Sequence, residues 1–344
     1  MNDLNIKYLK NLFLILFTFL IIIILKLFFT ELSKKMIRAN FFNNFILSKE
    51  TYKDDRILKF EILKKNINND YDFFIFGTSA AGAINPIYAK QSLKKDSLNL
   101  TFNGAKISEI YLFLEWYIQN KDIKKFPREI FLELKLFSFN DMEFQKRFPS
   151  ELTKKFFLKF KYQFTDLRPL FLIKQLISHQ ENEANKTKIL YIENGATYLD
   201  LSKSKNRNFN KEIINNFHIY VDQNINFKQL EYFKKLISIC NDNNIKINFF
   251  ISPVHNSLRK AKNSYYLKSE YFLINNIFKH TDIENIFYFN SNTSMILNDK
   301  NYHDPIHYNY GIGNQIINSF YIKNNYHDFK IIDRLNYKNL NLYD

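Results

Sequence analysis

The feature that most constrains the fold of this chain is a short apolar run that ends at a glycine. Residues 72–86 read DFFIFGTSAAGAINP, so a Phe- and Ile-rich run, 72–76, stops at Gly77 and is followed by Ser79 and small side chains. A short apolar run bounded by glycine predicts a buried strand. Ligands of open α/β sheets bind at the edge where such strands end. Ser79 is therefore predicted either to be exposed at a functional sheet edge or only to cap a helix.

A second motif, far along the chain, provides the partners that a catalytic serine requires. Asp304 and His307 lie three residues apart, and a segment with helical apolar spacing follows them. On a short turn this spacing places the side chains next to each other, so that the carboxylate holds the imidazole in one tautomer. Such a histidine can activate a serine. We therefore predict a triad of Ser79, His307 and Asp304. His303 competes as the base, but it directly precedes Asp304, so their side chains diverge.

The two motifs together resemble the SGNH (GDSL-like) hydrolase superfamily, in which a serine follows the first strand and a D-x-x-H motif precedes the last helix. The resemblance covers roughly residues 72–321, with specific motifs only at its two ends. Gly-Thr-Ser replaces the family's Gly-Asp-Ser, a departure shared by its membrane-anchored relatives. The resemblance implies a flavodoxin-like parallel sheet of the SGNH hydrolase fold and acyl transfer through a serine ester.

The resemblance also implies an oxyanion hole formed by N–H groups of Ser79 and of a glycine after the second strand. Gly104 stands at that place, although Asn-Gly pairs usually serve as turns. Many family members carry an asparagine at the end of the third strand, where this chain has Lys135. Either Lys135 supplies charge to the hole, or the hole has two donors, or the site is weak. A solvated lysine at a strand end is the alternative. His255, after the fourth strand, is a candidate substrate contact or an ordinary, partly exposed histidine.

Apolar patterns place the remaining elements between these motifs. Further strands are predicted at 97–102, 129–134, 246–251 and 286–289, and helices at 107–118, 227–241 and 266–278. This alternation predicts a parallel α/β sheet with right-handed crossovers. Residues 141–226 lack the alternation, and we interpret them as a largely helical insertion near the active-site edge. Its aromatic side chains are expected to serve packing more than sugar binding.

An apolar run near the N-terminus predicts a membrane anchor. Residues 12–29 contain only Thr18 and Lys26 as polar residues, and about 18 residues is close to what a bilayer core requires. No small-residue cleavage site follows, so we predict an uncleaved single-pass anchor. More basic residues follow the start of the run (Lys26, Lys34, Lys35 and Arg38) than precede it (Lys7 and Lys10), so the positive-inside rule does not favour a cytoplasmic N-terminus. Resemblance to anchored SGNH proteins implies an extracytoplasmic catalytic domain at the cell membrane. The predicted organisation is an anchor, a juxtamembrane helical connection, the α/β domain and a C-terminal tail, at residues 1–35, 36–70, 71–325 and 326–344.

Composition bears on partners and cofactors. The net charge of +15 comes from lysines scattered through the chain, with no dense basic tract and no nucleic-acid motif, so we predict no nucleic-acid partner. Attraction to an anionic envelope polymer remains a secondary effect of the charge. Cys240 is the single cysteine, which excludes an intramolecular disulfide, and it is predicted to be a buried helical residue. With no P-loop, dinucleotide fingerprint or zinc spacing, we predict no metal and no other cofactor.

The resemblance and the predicted anchor together lead to an expected function. We expect a membrane-anchored esterase or O-acyltransferase that acts on acyl esters, chiefly acetyl esters, of a cell-surface glycan. Anchored SGNH proteins of alginate acetylation and teichoic-acid D-alanylation are the similar cases. The alternative is a catalytically idle partner or glycan-binding subunit of a multi-spanning acyltransferase. The missing asparagine favours this alternative, and the intact Ser and D-x-x-H motifs disfavour it. The polymer, the acyl group, the direction of transfer and the oligomeric state remain open at this stage.

Overall fold

The structure is a computed structural model of the chain. It describes residues 11–25, 28, 46–47, 55–121, 126–140, 152, 189–191, 195–199, 224–260, 265–291, 293–321 and 329–339. The chain divides into two units, of which the first comprises Met1–Asn43 with Lys146–Lys186 and the second Asn44–Gln145 with Thr187–Asp344. The main sheet and the predicted triad belong to the second unit.

A six-stranded sheet forms the centre of the second unit. Its strands are β2 (Phe73–Phe76), β3 (Ser97–Asn99), β4 (Glu129–Glu133), β7 (Lys246–Ile251), β8 (Asn285–Tyr288) and β9 (Lys330–Asp333). They lie in the order β3-β2-β4-β7-β8-β9, and all pairs are parallel except the edge pair β8–β9. Counted among themselves, the five parallel strands have the order 2-1-3-4-5, which is compatible with a flavodoxin-like fold. The predicted parallel α/β sheet is confirmed.

Helices alternate with these strands. They are α1 (Asp55–Lys65), α2 (Pro86–Leu93), α3 (Ile107–Asn120), α4 (Leu136–Phe139), α5 (Phe227–Asp242), α6 (Asn256–Lys260), α7 (Tyr265–His280), α8 (Ser294–Leu297) and α9 (Tyr310–Tyr321). Short 3₁₀ helices span Ser79–Ala83, Asp299–Asn301 and Tyr337–Asn339. The predicted helices are present and end within two residues of their expected bounds. Asn226 marks the start of α5, because its side chain accepts a hydrogen bond from the N–H of Lys228 at 2.7 Å.

An aromatic core joins the sheet to the last helix. Phe131 of β4 packs against Phe320 of α9 with ring centroids 4.5 Å apart, and Phe287 of β8 lies at the same distance from Phe320. The small residues Ala80 and Ala81, which follow Ser79, are buried in the same core. The segment after the serine and the helix after the D-x-x-H motif are therefore packed against one sheet face.

Four short strands differ from the sequence-based expectation. β5 (Ile189–Tyr191) and β6 (Thr197–Leu199) belong to the stretch predicted as a largely helical insertion, and they form an antiparallel sheet with β1 (Ile46–Leu47), which lies in the predicted helical connection. Within residues 141–226, the structure describes only 152, 189–191, 195–199 and 224–226. β9 falls within the predicted C-terminal tail. Strands this short depend on their pairing partners, which local periodicity does not reveal.

The predicted anchor is described only in part. Residues 11–25 are helical, and their apolar side chains are exposed, with Phe13 at 70%. Residues 26–27 and 29 of the apolar run lie outside the described residues. Among the residues that the structure describes, none of the helices combines the length and the apolar character needed to cross a bilayer. The membrane anchor remains a prediction.

Candidate active site

A continuous chain of hydrogen bonds joins the three residues of the predicted triad. Ser79 Oγ lies 2.8 Å from Nε2 of His307, and His307 Nδ1 lies 2.6 Å from Oδ2 of Asp304. Ser79 opens the 3₁₀ helix that follows β2, while the other two residues precede α9. The fold thus brings together residues that are 228 positions apart in the chain.

The turn that carries Asp304 and His307 has a defined internal structure. Oδ1 of Asp304 accepts hydrogen bonds from the N–H groups of Ile306 and His307, at 2.8 and 2.9 Å. An antiparallel bridge between the buried Tyr302 and Tyr308 closes the turn. With Oδ2 accepting the Nδ1 proton of His307, Nε2 faces Ser79 as an acceptor. His307 therefore has the geometry of a general base.

His303, the competing base, has a different position. Its N–H donates to the carbonyl oxygen of His307 at 2.7 Å, so that the two residues face each other across the closed turn. In the described hydrogen bond, the Ser79 hydroxyl donates to the ring nitrogen Nε2 of His307. Of the two histidines, His307 is thus the one next to Ser79.

The negative charge of Asp304 and the positive charge of protonated His307 stabilise each other. Partial burial would raise the pKa of Asp304, but the positive charge of His307 and the hydrogen bonds that the carboxylate accepts outweigh it and lower this pKa to about 2. Burial would lower the pKa of His307, but the charge of Asp304 and its hydrogen bond raise that pKa above the ordinary value of 6.5. Asp304 is thus ionised at neutral pH and stabilises the imidazolium that forms when His307 takes a proton.

A close approach between helix α9 and the serine turn holds the two halves of the site together. A Cβ on Gly313 would lie 2.3 Å from the carbonyl oxygen of Ala83 and 3.0 Å from Cα of Ile84. Only glycine leaves room for this packing. Asn309 fixes the start of the helix, because its Oδ1 accepts the N–H of Ile312 at 3.1 Å.

A buried asparagine, which the sequence analysis did not single out, supports the serine turn. Nδ2 of Asn99 donates to the carbonyl oxygens of Ala81 and Ile84, at 3.0 and 2.9 Å, and Asn99 is fully buried. Its Oδ1 accepts hydrogen bonds from the N–H and the hydroxyl of Thr101. An amide within an otherwise apolar strand pattern, SLNLTF, was the available signal.

A buried carboxylate, also missed, contacts Thr78, the residue before Ser79. Oε2 of Glu133 accepts hydrogen bonds from the N–H and the hydroxyl of Thr78, each at 2.7 Å. Glu133 is the last residue of β4. An acidic residue at the end of a buried strand was the signal in the sequence EIFLEL.

The predicted oxyanion glycine lies in a turn that helix α1 holds in place. Gly104 adopts the left-handed conformation, at φ = +60°. Nη1 and Nη2 of Arg56 donate to the carbonyl oxygens of Asn103 and Gly104, at 2.9 and 3.1 Å. Asp55 accepts the N–H of Asn103, and Glu109 accepts hydrogen bonds from two nitrogens of the Arg56 guanidinium. Helix α1, predicted as a juxtamembrane connection, is thus part of the scaffold of the site.

The turn that contains Gly104 follows β3, next to the segment after β2 that leads to Ser79. The N–H of Phe102 donates to the carbonyl oxygen of Gly77 at 3.2 Å, which aligns the segment after β3 with the segment before Ser79. This register is what an oxyanion hole formed by the N–H groups of Ser79 and Gly104 requires. The role of both N–H groups remains a prediction.

Lys135 is not the solvated lysine of the alternative interpretation. Its side chain is 11% exposed, and its Nζ donates to the Tyr266 hydroxyl at 3.0 Å and lies 3.8 Å from Oε1 of Glu133. The lysine is held by β4 and α7. Its predicted participation in the oxyanion hole is not established by these contacts.

His255, the predicted substrate contact, lies against the D-x-x-H turn, and its role toward a substrate stays a prediction. It is 6% exposed, with Nδ1 2.7 Å from Ser257 Oγ and Nε2 2.8 Å from Oδ1 of Asp299. Its N–H donates to the carbonyl oxygen of Pro305 at 2.9 Å. The ring packs edge-on against Tyr302. The segment after β7 therefore folds against the D-x-x-H turn, which the sequence pattern did not indicate.

Comparisons with known proteins add nothing to this geometry. Searches of protein families, of curated proteins and of solved structures each gave no match. Within the described part of the chain, no group of three or more His, Cys, Asp or Glu side chains is arranged to hold a metal ion.

Proposed function

We propose that this chain is a membrane-anchored serine esterase or O-acyltransferase of the SGNH type, which acts on acyl esters, chiefly acetyl esters, of a cell-surface glycan. The observation that carries the proposal is the hydrogen-bond chain from Ser79 Oγ through His307 to Asp304, with distances of 2.8 and 2.6 Å. A serine hydroxyl, an imidazole and a carboxylate in this order form the arrangement that activates serine for acyl transfer.

The reaction would proceed in two acyl-transfer steps. His307 Nε2 takes the proton of Ser79 while Oγ attacks the ester carbonyl, and N–H groups of Ser79 and Gly104 stabilise the oxyanion. The imidazolium then gives its proton to the leaving alcohol, which leaves an acyl ester on Ser79. In the second step His307 takes a proton from the acceptor hydroxyl while the acceptor oxygen attacks the acyl carbonyl. The new intermediate then collapses, the Ser79 Oγ–acyl bond breaks, and the imidazolium returns its proton to Oγ. Water as the acceptor gives an esterase, and a sugar hydroxyl gives a transferase.

The substrate class follows from the predicted anchor and the family resemblance. An anchor over residues 12–29 would confine the site to the membrane surface, with the catalytic domain extracytoplasmic. The similar anchored SGNH proteins act on envelope polymers, and a multi-spanning acyltransferase would be the partner that supplies acyl groups. Full-length protein that stays in the membrane fraction after carbonate washing would support the anchor. Release by washing, or a cytoplasmic signal from a C-terminal fusion, would overturn this part of the proposal.

A second candidate function is a catalytically idle, glycan-binding partner of such an acyltransferase. The observation that favours it concerns Lys135, which replaces the family's asparagine. Its Nζ is engaged by the Tyr266 hydroxyl and lies near the Glu133 carboxylate. If Lys135 gives no hydrogen bond to the oxyanion, a third donor is lacking, and the loss of one donor costs on the order of 10² to 10³ in rate.

Covalent labelling decides between the two functions. The full-length chain is expected to react with a fluorophosphonate probe and to hydrolyse a small activated acetyl ester. Ser79→Ala should abolish both, while its unfolding free energy stays within roughly 1 kcal/mol of the parent. If the folded parent is not labelled, the idle partner is the better description. Hydrolysis that survives in Ser79→Ala would place the chemistry elsewhere in the chain.

A further inference from the structure

A fully buried acidic side chain lies next to the turn that presents the nucleophile. Glu133 is 0% exposed, and its Oε2 holds both the N–H and the hydroxyl of Thr78, the residue before Ser79. Burial of a carboxylate is strongly unfavourable unless hydrogen bonds or an opposite charge compensate for it. We therefore ask what the buried Glu133 carboxylate contributes to the turn that carries Ser79.

The backbone of the turn is shaped around this carboxylate. The register of β2 and β4 pairs Phe76 with Leu132, which brings Gly77 opposite Glu133. A Cβ on Gly77 would lie 2.5 Å from the Cβ of Glu133 and 2.8 Å from its Oε2. The glycine before Thr78 thus makes room for the acidic side chain.

The second carboxylate oxygen faces a positive charge. Oε1 of Glu133 is buried and accepts no hydrogen bond from any residue that the structure describes. The ammonium group of Lys135 lies 3.8 Å from it and donates to the Tyr266 hydroxyl at 3.0 Å. Two residues at the end of one strand thus form an ion pair directly next to the serine turn.

We propose that Glu133 and Lys135 are a positioning pair for the serine turn, in which the Glu133 carboxylate fixes the Thr78–Ser79 backbone and Lys135 compensates the buried charge of Glu133. The inference rests on the proposed function, because the triad defines what is positioned. It goes beyond that function by giving Lys135 a role other than oxyanion donor.

The effect on His307 has a definite sign for each residue. The charged groups that act on this imidazole are Asp304 from its own turn and Glu133 and Lys135 from the end of β4. The negative charge of Glu133 favours the imidazolium and raises the pKa of His307, whereas the positive charge of Lys135 lowers it. Removing one charge or the other is therefore expected to move the His307 titration in opposite directions.

The test uses Glu133→Gln and Lys135→Met in the full-length chain. Glutamine keeps the volume and an acceptor oxygen for Thr78 but removes the charge, and methionine keeps most of the length of the lysine. The pH profile of kcat/KM for an activated acetyl ester and the NMR titration of His307 both report its pKa. We expect a lower pKa in Glu133→Gln, a higher one in Lys135→Met, and an intermediate value in the double variant. A merely structural role would change the melting temperature without this reversal of sign.

A matched variant separates the positioning of the turn from the charge. Thr78→Val keeps the shape and the N–H but removes the hydroxyl hydrogen bond to Glu133. Labelling of Ser79 is expected to slow several-fold, while the titration of His307 stays in place. If Glu133→Gln does not fold, Lys135→Met and Thr78→Val still decide the matter.

The two proposals fail in different ways. Unchanged labelling of Ser79 in both Glu133→Gln and Thr78→Val would overturn the positioning pair even if the parent is labelled by the fluorophosphonate. Unchanged or parallel titrations in the two charge variants would show that the pair does not act on His307. A third outcome is that the two charge variants shift the pKa of His307 in opposite directions while the parent is never labelled. That outcome would retain the electrostatic coupling to His307 and overturn the proposed ester chemistry.

Discussion

The contact between helix α9 and the serine turn predicts a large functional effect from one methyl group. In Gly313→Ala, the new Cβ would lie 2.3 Å from the carbonyl oxygen of Ala83, whereas ordinary contacts begin at 3.4 Å. The helix and the turn must therefore separate by about 1 Å, the difference between these two distances. His307 precedes this helix and Ser79 begins this turn, so the displacement acts across their 2.8 Å hydrogen bond.

The expected cost in turnover exceeds the cost in stability. Overpacking of this kind destabilises by about 1 to 3 kcal/mol, and the better helix propensity of alanine offsets about 1 kcal/mol of that loss. A misplacement of about 1 Å at a catalytic group can lower the rate about 10²-fold. We therefore expect Gly313→Ala to fold, with a slightly lower melting temperature, and to lose most of its esterase turnover.

Gly311→Ala is the matched control in the same helix. Its Cβ would meet only the side-chain Oδ1 of Asn309, at 3.1 Å, and the position is exposed. We expect turnover close to that of the parent, measured with the same activated ester and checked by thermal melting. If Gly313→Ala keeps turnover within about threefold of the control, the close approach does not align the triad and the reasoning is wrong.

Three further predictions concern the same site. His307→Ala should abolish turnover while His303→Ala retains most of it, and an equal loss in both folded variants would contradict the assignment of the base. Because the pKa of His307 is raised above 6.5 and the base must be neutral, kcat/KM should fall as the pH drops through a value above 6.5; a profile flat down to pH 6 would refute this. Arg56→Lys keeps a positive charge beside Glu109 but lacks the planar fork that reaches both carbonyl groups of the Gly104 turn. Turnover should then fall by up to about 10² with little change in the His307 titration, whereas unchanged turnover would show that this turn does not carry an oxyanion donor.

The predictable parts of the fold are those with a local signal. The apolar runs that became β2, β4 and β7 are bounded by polar or glycine residues, and a buried parallel strand has this pattern. The D-x-x-H spacing was equally informative, since Asp304 and His307 contact each other within one turn. Local order of this kind does not depend on residues far away in the sequence.

The missed parts depend on distant partners. Asp55, Arg56 and Lys59 give α1 the pattern of a solvated helix, yet all three are buried. Arg56 finds its partners 47 to 53 positions away, at the Gly104 turn and at Glu109. A charged residue is rarely buried without a partner, and a single sequence does not show which distant residue that partner is. Glu133 was overlooked for the same reason, because its partner Thr78 is 55 positions away.

The separation of the triad along the chain has a consequence for biosynthesis. Ser79 is translated 228 residues before His307, which at about 5 to 20 residues per second amounts to roughly 10 to 45 s. During this interval the sheet strands up to β8 can be completed, but the serine has no base. The last helix brings the imidazole to the hydroxyl when Gly313 docks against Ala83. In a nascent chain the Ser79 hydroxyl therefore lacks its imidazole partner, and the proposed ester chemistry would begin only after this final docking step.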